Sequence, residues 1–304
     1  MKVTILGPGK VGMVLAYTLA LRGLAREILL VGADQLKAEG EALDLNHAVA
    51  FQTIPVKVRA GGIGDAGGSE VVAVCASVPT PTRLECRNVL AQGNADLMRR
   101  LLPRVAKVAP DAKLVMVANP VDALTWQAIE LTGFPPERVM GTGTLVDSIR
   151  FRELLSAMLH IHPADLRAYI LGEHGEHQFA AMSVAQAGGE RIDDTPERRA
   201  LSERAKHLGI EVFKKKGNTC YAIGKAAAYI IEAILIDEKR TVPLSVKIND
   251  YLGVQGVCLS VPVVVGRRGV ERYLHPALNA IETEQFRAAA AAVRKVMGTI
   301  ALTV

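Results

Sequence analysis

Two short stretches of the sequence carry side chains of the types that bind a carboxylate and move a proton. His174 lies between glycines in the string LGEHG, and Asp147 and Arg150 stand three residues apart in VDSIRFR. Residues three apart share one face of a helix, so this pair acts at one place. Arginine matches a carboxylate with its planar fork, and histidine titrates near neutral pH. Together they suit proton transfer to or from an oxygen atom next to a carboxylate.

A third polar group, Asn119, ends a predicted strand in the string ANPVD. Ligands of open α/β sheets bind at the carboxyl ends of strands, so Asn119 is a candidate for contact with a bound molecule. Each feature alone also has a plain structural interpretation. A histidine between glycines suits a surface loop, an Asp–Arg pair a solvated ion pair, and Asn-Pro a turn.

The glycine loop at the start of the chain predicts a dinucleotide site. Gly7, Gly9 and Gly12 fit the pattern G-x-G-x-x-G, and they follow a predicted strand and open a predicted helix. The first glycine allows a tight turn, the second lets the backbone approach a pyrophosphate, and the third lets the helix pack on the strand. The helix N-terminus then offers N–H groups to the phosphates. Val11 belongs to the same loop and is assigned to the same site.

The acidic residue that would bind the ribose hydroxyls is missing from its usual place, where Gly32 stands. Asp34, two residues later, either reaches the ribose or only caps the next helix. Loss of the acid removes a repulsion against a 2′-phosphate, and Lys37 is the nearest candidate to bind that phosphate. We expect NAD as the cofactor, with NADP left open.

Alternation of strands and helices in the first half predicts a doubly wound parallel sheet of the Rossmann type, followed by an α+β catalytic domain. We place the two domains at 1–144 and 145–304. Predicted strands of the first domain lie at Val3–Leu6, Glu27–Val31, Val71–Ala76, Lys113–Ala118 and Arg138–Met140, with helices at Gly12–Arg22, Leu36–Val49, Arg87–Val108 and Asp122–Thr132. In the second domain we predict strands at Ala168–Leu171, Ala181–Gln186, Thr241–Lys247 and Gly256–Val265, with helices at about 144–159, Glu197–Lys215, Thr219–Asp237 and Thr283–Met297.

Composition narrows the classes of function. Half of the 304 residues are apolar but only 4% are aromatic, which suits aliphatic strands covered by helices. The apolar runs are too short to cross a membrane, and the N-terminus reads as a strand and not as a signal peptide. Four scattered cysteines without a CxxC pair predict reduced thiols, no metal site and a cytoplasmic protein. The net charge of +5, with short basic clusters, gives little support to nucleic-acid binding.

The strings GPGKVG, ANPVD, GTGTLVDSIRFR, LGEHG and KGNTCYAIG resemble the lactate/malate dehydrogenase family, and more closely its L-lactate branch. The resemblance covers nearly the whole chain and implies oxidation of a 2-hydroxy acid. It implies that His174 is the catalytic acid and base, that Asp147 orients it, and that Arg150 binds the substrate carboxylate. Because these residues occur in the order of the family, separate structural roles become improbable.

Further roles follow from the same resemblance. Asn119 contacts the substrate and the nicotinamide, Thr219 lines the substrate pocket, and Arg87 is the arginine of a mobile loop that polarises the carbonyl. The loop SVPTPTRLECR departs from the family pattern. At the position that separates lactate from malate, counting back from Arg87 gives Pro81, whereas counting forward from the preceding strand gives Thr80. Arg83 is the cation that the loop offers to a second carboxylate.

Substrate choice therefore stays open at this stage: lactate is the first candidate, malate the second and a bulkier 2-hydroxy acid the third. A catalytically silent, dinucleotide-binding regulatory protein is the rival from another class. The resemblance also implies a homodimer or homotetramer. In bacterial members of the lactate branch, an arginine and a histidine bind a sugar bisphosphate at a subunit interface, and those positions hold Arg152 and Arg167 here. They form a candidate allosteric anion site, unless each arginine pairs with a local acid such as Glu153 or Asp165.

Overall fold

A computed structural model describes residues 1–79 and 90–301 of the chain. The elements up to residue 141 are β1 (Lys2–Leu6), α1 (Lys10–Leu21), β2 (Glu27–Val31), α2 (Gln35–Ala48), β3 (Lys57–Ala60), β4 (Val71–Val74), α3 (Ala91–Val108), β5 (Lys113–Met116), α4 (Val121–Thr132) and β6 (Val139–Gly141). Those that follow are α5 (Leu145–Leu159), β7 (Leu166–Arg167), β8 (Ile170–Gly172), β9 (Gln178–Ala180), β10 (Gln186–Ala187), β11 (Glu190–Arg191), α6 (Pro196–Lys216), α7 (Tyr221–Leu235), β12 (Arg240–Lys247), β13 (Cys258–Gly266), β14 (Gly269–Tyr273) and α8 (Ala280–Ala301).

The first six strands form a parallel sheet in the order β3-β2-β1-β4-β5-β6. The strand order reverses between β1 and β4, and at such a switch point a crevice opens beyond the carboxyl ends of the strands. This arrangement confirms the predicted doubly wound fold. It brings the glycine loop after β1 and the ANPVD string after β5 to the same edge of the sheet.

The parallel sheet continues without interruption into the second half of the chain. Gly141 of β6 pairs with Ser245 of the antiparallel strand β12, and β13, β8 and β9 follow in that order. The short strands β11, β10 and β7 form a separate sheet. The predicted boundary at residues 144 and 145 falls between β6 and α5, and it stays a prediction. Since strands from both halves share one sheet, side chains from both meet at fixed distances.

Alternate residues of the central strands pack into two aliphatic cores, one on each face of the sheet. Ile5 of β1 packs with Leu15 of α1 and with α7 on one face. Leu6 of β1 packs with Met98 of α3 on the other face. Burial on both faces explains why these strands are runs of aliphatic residues and why the sequence predicted them well.

One predicted strand is wrong, and five short strands were missed. The segment Ala181–Gln186 holds a turn of 3₁₀-helix at Met182–Val184 between β9 and β10. There the main-chain N–H of Ser183 donates to Glu282 Oε1 at 2.9 Å, so it is not available to a strand ladder. The missed strands are β3, β7, β9, β11 and β14, which are only two to five residues long and lie at the edges of the two sheets. Among the described helices, none is long and apolar enough to cross a membrane.

Candidate active site

His174, Asp147 and Arg150 lie together at the junction of α5 and β8. His174 Nδ1 lies 2.6 Å from Asp147 Oδ2, and Arg150 Nη1 donates to Asp147 Oδ1 at 3.0 Å. The Asp147 side chain is only 2% exposed, whereas those of His174 and Arg150 keep 13% and 15%. One buried carboxylate therefore holds both partly exposed groups, and it contacts the His174 ring through Nδ1.

Two buried hydroxyl groups fix α5 against β8. Thr144 Oγ1 donates to the carbonyl oxygen of Ile170 at 2.5 Å, and Ser148 Oγ accepts from the N–H of Ile170 at 2.9 Å. Thr144 and Ser148 are no more than 1% exposed. Because both bonds reach one residue of β8, the helix face that carries Asp147 is held beside the loop that carries His174.

The two glycines near His174, Gly172 and Gly175, are required for different structural reasons. Gly172 has a φ of +87°, a conformation that other residues rarely adopt. A Cβ on Gly175 would lie 2.8 Å from the carboxyl carbon of Glu173, so a larger residue would displace that side chain. Glu173 Oε2 lies 2.9 Å from His177 Nδ1. The LGEHG string thus turns the chain after β8 and seats a second His–carboxylate pair next to the first.

Asp122, at the second residue of α4, also contacts the loop that carries His174 and was missed by the sequence analysis. Its Oδ2 accepts from the main-chain N–H of His174 at 2.8 Å. Burial raises the pKa of the Asp122 carboxyl to about 6, an effect that the Ser245 hydroxyl and the His174 N–H partly offset. An acidic residue in the first turn of a helix is common, so the sequence gave no reason to single it out.

A cavity of about 790 Å³ opens beside His174 and Arg150. Its walls include Lys206 of α6 and Lys295 of α8, together with an apolar side formed by Ala288, Ala291 and Ala292 of α8. Lys206 Nζ lies 3.2 Å from Glu176 Oε2. Among the described residues, Lys206 and Lys295 are thus cations that a second carboxylate could meet in this cavity. Among the described residues, no group of three or more His, Cys, Asp or Glu side chains is arranged to hold a metal ion.

A second cavity, of about 1020 Å³, follows the carboxyl edge of the parallel strands. The predicted cofactor and substrate residues that line it are Gly7, Gly9, Val11, Gly12, Asn119 and Thr219, and Gly32 lines it as well. It adjoins the first cavity, since Gly209 and Ile210 of α6 line both. Thr219 thus lies on the dinucleotide side of the junction. The two cavities together can hold a dinucleotide and a small acid end to end.

The three loop glycines differ in what a side chain would meet. A Cβ on Gly7 would lie 2.5 Å from the Ala76 backbone, and one on Gly12 would lie 2.3 Å from the Gly7 carbonyl oxygen. A Cβ on Gly9 would meet no protein atom within 4 Å. Gly9 also precedes the first residue of α1 without any side-chain cap. The loop therefore leaves open space in front of the N–H groups that begin α1, which suits a pyrophosphate.

Asn119 offers an unpaired polar atom to the same cavity. Its Oδ1 is buried and, within residues 1–79 and 90–301, has no hydrogen-bond partner. Its carbonyl oxygen accepts from Asn94 Nδ2 at 2.6 Å, which anchors the main chain. Because a buried polar atom without a partner is costly, a ligand donor such as a carboxamide fits this position. The residues present thus fit a nicotinamide dinucleotide.

Gly32 lies at the end of the cavity where an acid would contact the ribose. A Cβ on it would lie 3.2 Å from Pro8 Cγ and 3.3 Å from the Asp34 carbonyl oxygen. Asp34 Oδ1 accepts from the main-chain N–H of Lys37 at 3.0 Å and so caps α2. The second carboxylate oxygen of Asp34, Oδ2, takes no part in this cap. Contact between Asp34 and a ribose stays a prediction.

Four predicted residues remain, namely Arg83, Arg87, Arg152 and Arg167. Arg83 and Arg87 fall outside the described residues. Arg152 Nε donates to the Ala168 carbonyl oxygen at 2.7 Å, and Arg167 Nη1 donates to that of Ala164 at 3.0 Å. Within the described part of the chain, neither guanidinium forms an ion pair, so the alternative, pairing with a local acid, is not seen. The anion site at these arginines stays a prediction.

Comparisons with known proteins agree with this geometry. Residues 1–141 match the family model described as lactate/malate dehydrogenase, NAD binding domain. Residues 144–302 match the model described as lactate/malate dehydrogenase, alpha/beta C-terminal domain. The two models together span nearly all of the chain.

Individual relatives match over the same length. An L-lactate dehydrogenase of Thermus aquaticus is 40% identical, covering 95% of this chain and 96% of the relative. One of Gloeobacter violaceus is 36% identical, covering 98% and 93%. The crystal structure of a minor L-lactate dehydrogenase of Enterococcus mundtii in its ligands-bound form has a TM-score of 0.93 at 32% identity, covering 99% of this chain and 98% of that one.

The loop glycines give a matched pair of variants. We expect Gly9→Ala to leave the melting temperature nearly unchanged, because the added methyl group meets no protein atom. It should weaken dinucleotide binding about tenfold or more, because the methyl group occupies the space in which we expect the pyrophosphate to bind. Gly12→Ala should instead destabilise the fold by about 1–3 kcal/mol through overpacking against Gly7. Thermal unfolding and fluorescence titration with a reduced dinucleotide measure both effects. Tight binding by a stable Gly9→Ala variant would show that the phosphates lie elsewhere.

Proposed function

Because the chain belongs to the lactate/malate dehydrogenase family, we propose that it interconverts L-lactate and pyruvate. It is an oxidoreductase that acts on the CH–OH group of a 2-hydroxy acid with a nicotinamide dinucleotide as cofactor. The observation that carries the proposal is the contact of one buried carboxylate, Asp147, with both His174 and Arg150 at the mouth of a cavity. Malate and a bulkier 2-hydroxy acid are the second and third candidates.

Each residue of the cluster has a distinct part in the proposed reaction. Arg150 uses one N–H toward Asp147 and has others for the substrate carboxylate. Asp147 keeps the proton of the neutral His174 ring on Nδ1 and stabilises the charged ring. In oxidation His174 Nε2 takes the hydroxyl proton, and in reduction it returns that proton to the carbonyl oxygen. When bound, the nicotinamide accepts or supplies the hydride.

The remaining assignments are proposed on the family resemblance. Asn119 contacts the nicotinamide and the substrate, which its unpaired Oδ1 supports. Thr219 lies near the junction of the two cavities, Arg87 polarises the carbonyl, and Arg83 belongs to the loop that governs substrate choice. The names of the relatives favour lactate over malate. Lys206 and Lys295 in the cavity wall keep malate as the second candidate.

We further propose a cytoplasmic homodimer or homotetramer. Large apolar side chains are exposed on α1, on α2 and just after α2: Tyr17, Leu21, Leu36, Leu43, Phe51 and Ile54. Exposed apolar groups in such number on neighbouring elements support contact with a second copy.

The direct test is turnover of a panel of 2-keto acids with NADH and NADPH by the wild type and by His174→Ala. We expect pyruvate to be the best substrate and the variant to lose about 10²–10⁴-fold in kcat, because it lacks the proton donor. Its affinity for the reduced cofactor should stay nearly intact. His47→Ala, at an exposed position of α2, is the matched control and should behave as wild type.

Two outcomes contradict the proposal. A wild-type kcat in His174→Ala would show that His174 is not the proton donor and acceptor. Tight dinucleotide binding by the wild type with no turnover of any keto acid would favour the rival, a silent regulatory protein.

Cofactor choice depends on Gly32. We propose that the enzyme uses NAD and tolerates NADP, since no carboxylate at residue 32 repels a 2′-phosphate. Gly32→Asp should raise the ratio of kcat/KM for NADH over NADPH about tenfold, which corresponds to about 1.4 kcal/mol of repulsion. Gly32→Ala is the matched control, because it adds the same Cβ against Pro8 without the charge. A wild type that already rejects NADPH strongly would show that Asp34 or the loop shape discriminates.

A further inference from the structure

The catalytic loop is held at two atoms of the same residue by two carboxylates from different parts of the chain. Asp147 of α5 holds the His174 ring through Nδ1, at 2.6 Å. Asp122 of α4 holds the His174 main-chain N–H, at 2.8 Å. Both carboxylates are buried, with 1% and 3% of the residue exposed. The ring contact sets the direction of the imidazole, but the main-chain contact sets where the residue itself lies.

Burial of the Asp122 carboxyl lowers the stability of the fold, so a structural role alone does not explain an aspartate at this position. Within the described residues it forms no ion pair with a lysine or arginine. Its Oδ1 is buried without a partner of hydrogen-bond geometry, although the Ser245 hydroxyl is near enough to lower the pKa of the carboxyl. A buried carboxyl with so little compensation costs stability. A neutral amide at this position would accept from the His174 N–H at lower cost.

The position of Asp122 links the two halves of the proposed reaction centre. It follows Asn119 by three residues, in the short segment between β5 and the first turn of α4. Asn94 holds the carbonyl oxygen of Asn119, and the unpaired Oδ1 of Asn119 is buried at the dinucleotide cavity. The segment from Asn119 to Asp122 is thus held at both ends, by Asn94 next to the dinucleotide cavity and by the His174 main chain at the other end.

We propose that Asp122 is a positioning residue that fixes His174 relative to Asn119, and so sets the distance between the proton donor and the nicotinamide site. The inference rests on the proposed roles of His174 and Asn119. Asp122 does not touch the substrate; it acts through the main chain of His174. Small errors in such a distance are costly, since a misplacement of about 1 Å reduces rates by about 10²-fold.

The charge of Asp122 adds a dependence on pH. The groups that face it are His174 and Glu173 after β8, Ser245 of β12 and Cys258 of β13. Burial raises the pKa of the Cys258 thiol, so this thiol stays neutral. Below about pH 6 the Asp122 carboxyl takes up a proton and becomes a weaker acceptor for the His174 N–H. Reduction of a keto acid needs a protonated His174, so acid favours that step. A fall in the rate of reduction below pH 6 therefore reports a carboxyl group and not the histidine.

The test compares Asp122→Ala with Asp122→Asn in the full-length enzyme. Asp122→Ala removes the acceptor, and we expect it to lose about 30–100-fold in single-turnover reduction at saturating pyruvate, with the Kd for NADH within about threefold of wild type. Asp122→Asn keeps an acceptor oxygen, so it should restore the rate to within about fivefold of wild type. It should also lack the fall below pH 6.

Glu282→Gln is the matched control. Glu282 is also buried in the first turn of a helix, α8, and it accepts from the main-chain N–H of Ser183. We expect this variant to lose stability without any change in the rate or its pH profile. It separates loss of a buried carboxylate in general from loss of the one that holds His174.

Hydrogen exchange at the His174 main-chain N–H supplies a readout that needs no turnover. In the enzyme without cofactor, Asp122→Ala should exchange this proton at least about tenfold faster than wild type, and Asp122→Asn should stay protected. Failure of the wild type to reduce any keto acid would overturn the proposed function, while the exchange experiment would still report on the Asp122 contact.

Three results would overturn the positioning role. They are a wild-type rate in Asp122→Ala, unchanged exchange at His174 in that variant, and a wild-type fall below pH 6 in Asp122→Asn. If Asp122→Ala does not fold, the pH profile and the exchange rate of Asp122→Asn decide the matter.

Discussion

The hydrogen bond between Asp147 and the His174 ring is the interaction on which the rest of the site depends. The Asp147 side chain is 2% exposed. In such buried surroundings a charge-assisted hydrogen bond is strong, and a polar group left without a partner is costly. The second oxygen of Asp147 holds Arg150, so a single group orients both the proposed acid–base residue and the proposed carboxylate clamp. Thr144 and Ser148 in turn fix α5 to β8, which makes the distance between the two functional side chains a property of the fold.

The continuous sheet explains how residues far apart in sequence meet at such distances. The parallel strands bring the glycine loop and Asn119 to one edge, and the antiparallel strands beyond β6 carry the loop of His174 to the same region. The contact from Asp122 to the His174 main chain crosses this junction. A rigid shared sheet suits hydride and proton transfer, because both need donor and acceptor held within a narrow range of distance.

Much of this arrangement could be predicted from the sequence, for identifiable reasons. The glycine spacing and the strings around His174 and Arg150 reflect local geometry, and aliphatic runs mark strands buried on both faces. Ala181–Gln186 was wrongly predicted as a strand because its apolar pattern comes from a buried turn whose N–H bonds a distant side chain, Glu282. Asp122, Lys206 and Lys295 were missed because only folding brings α4, α6 and α8 next to His174. Local patterns carry no signal of such long-range contacts.

The central claim is that Asp147 fixes the proton of the neutral His174 ring on Nδ1, so that Nε2 can take a proton from the substrate hydroxyl. Long-range ¹H–¹⁵N spectra of the histidine rings, recorded at a pH where the ring is neutral and assigned with a His174→Gln variant, measure this directly. The account predicts that the His174 proton resides on Nδ1 and that Nε2 has the chemical shift of an unprotonated nitrogen. A proton on Nε2, with Nδ1 unprotonated, would contradict it.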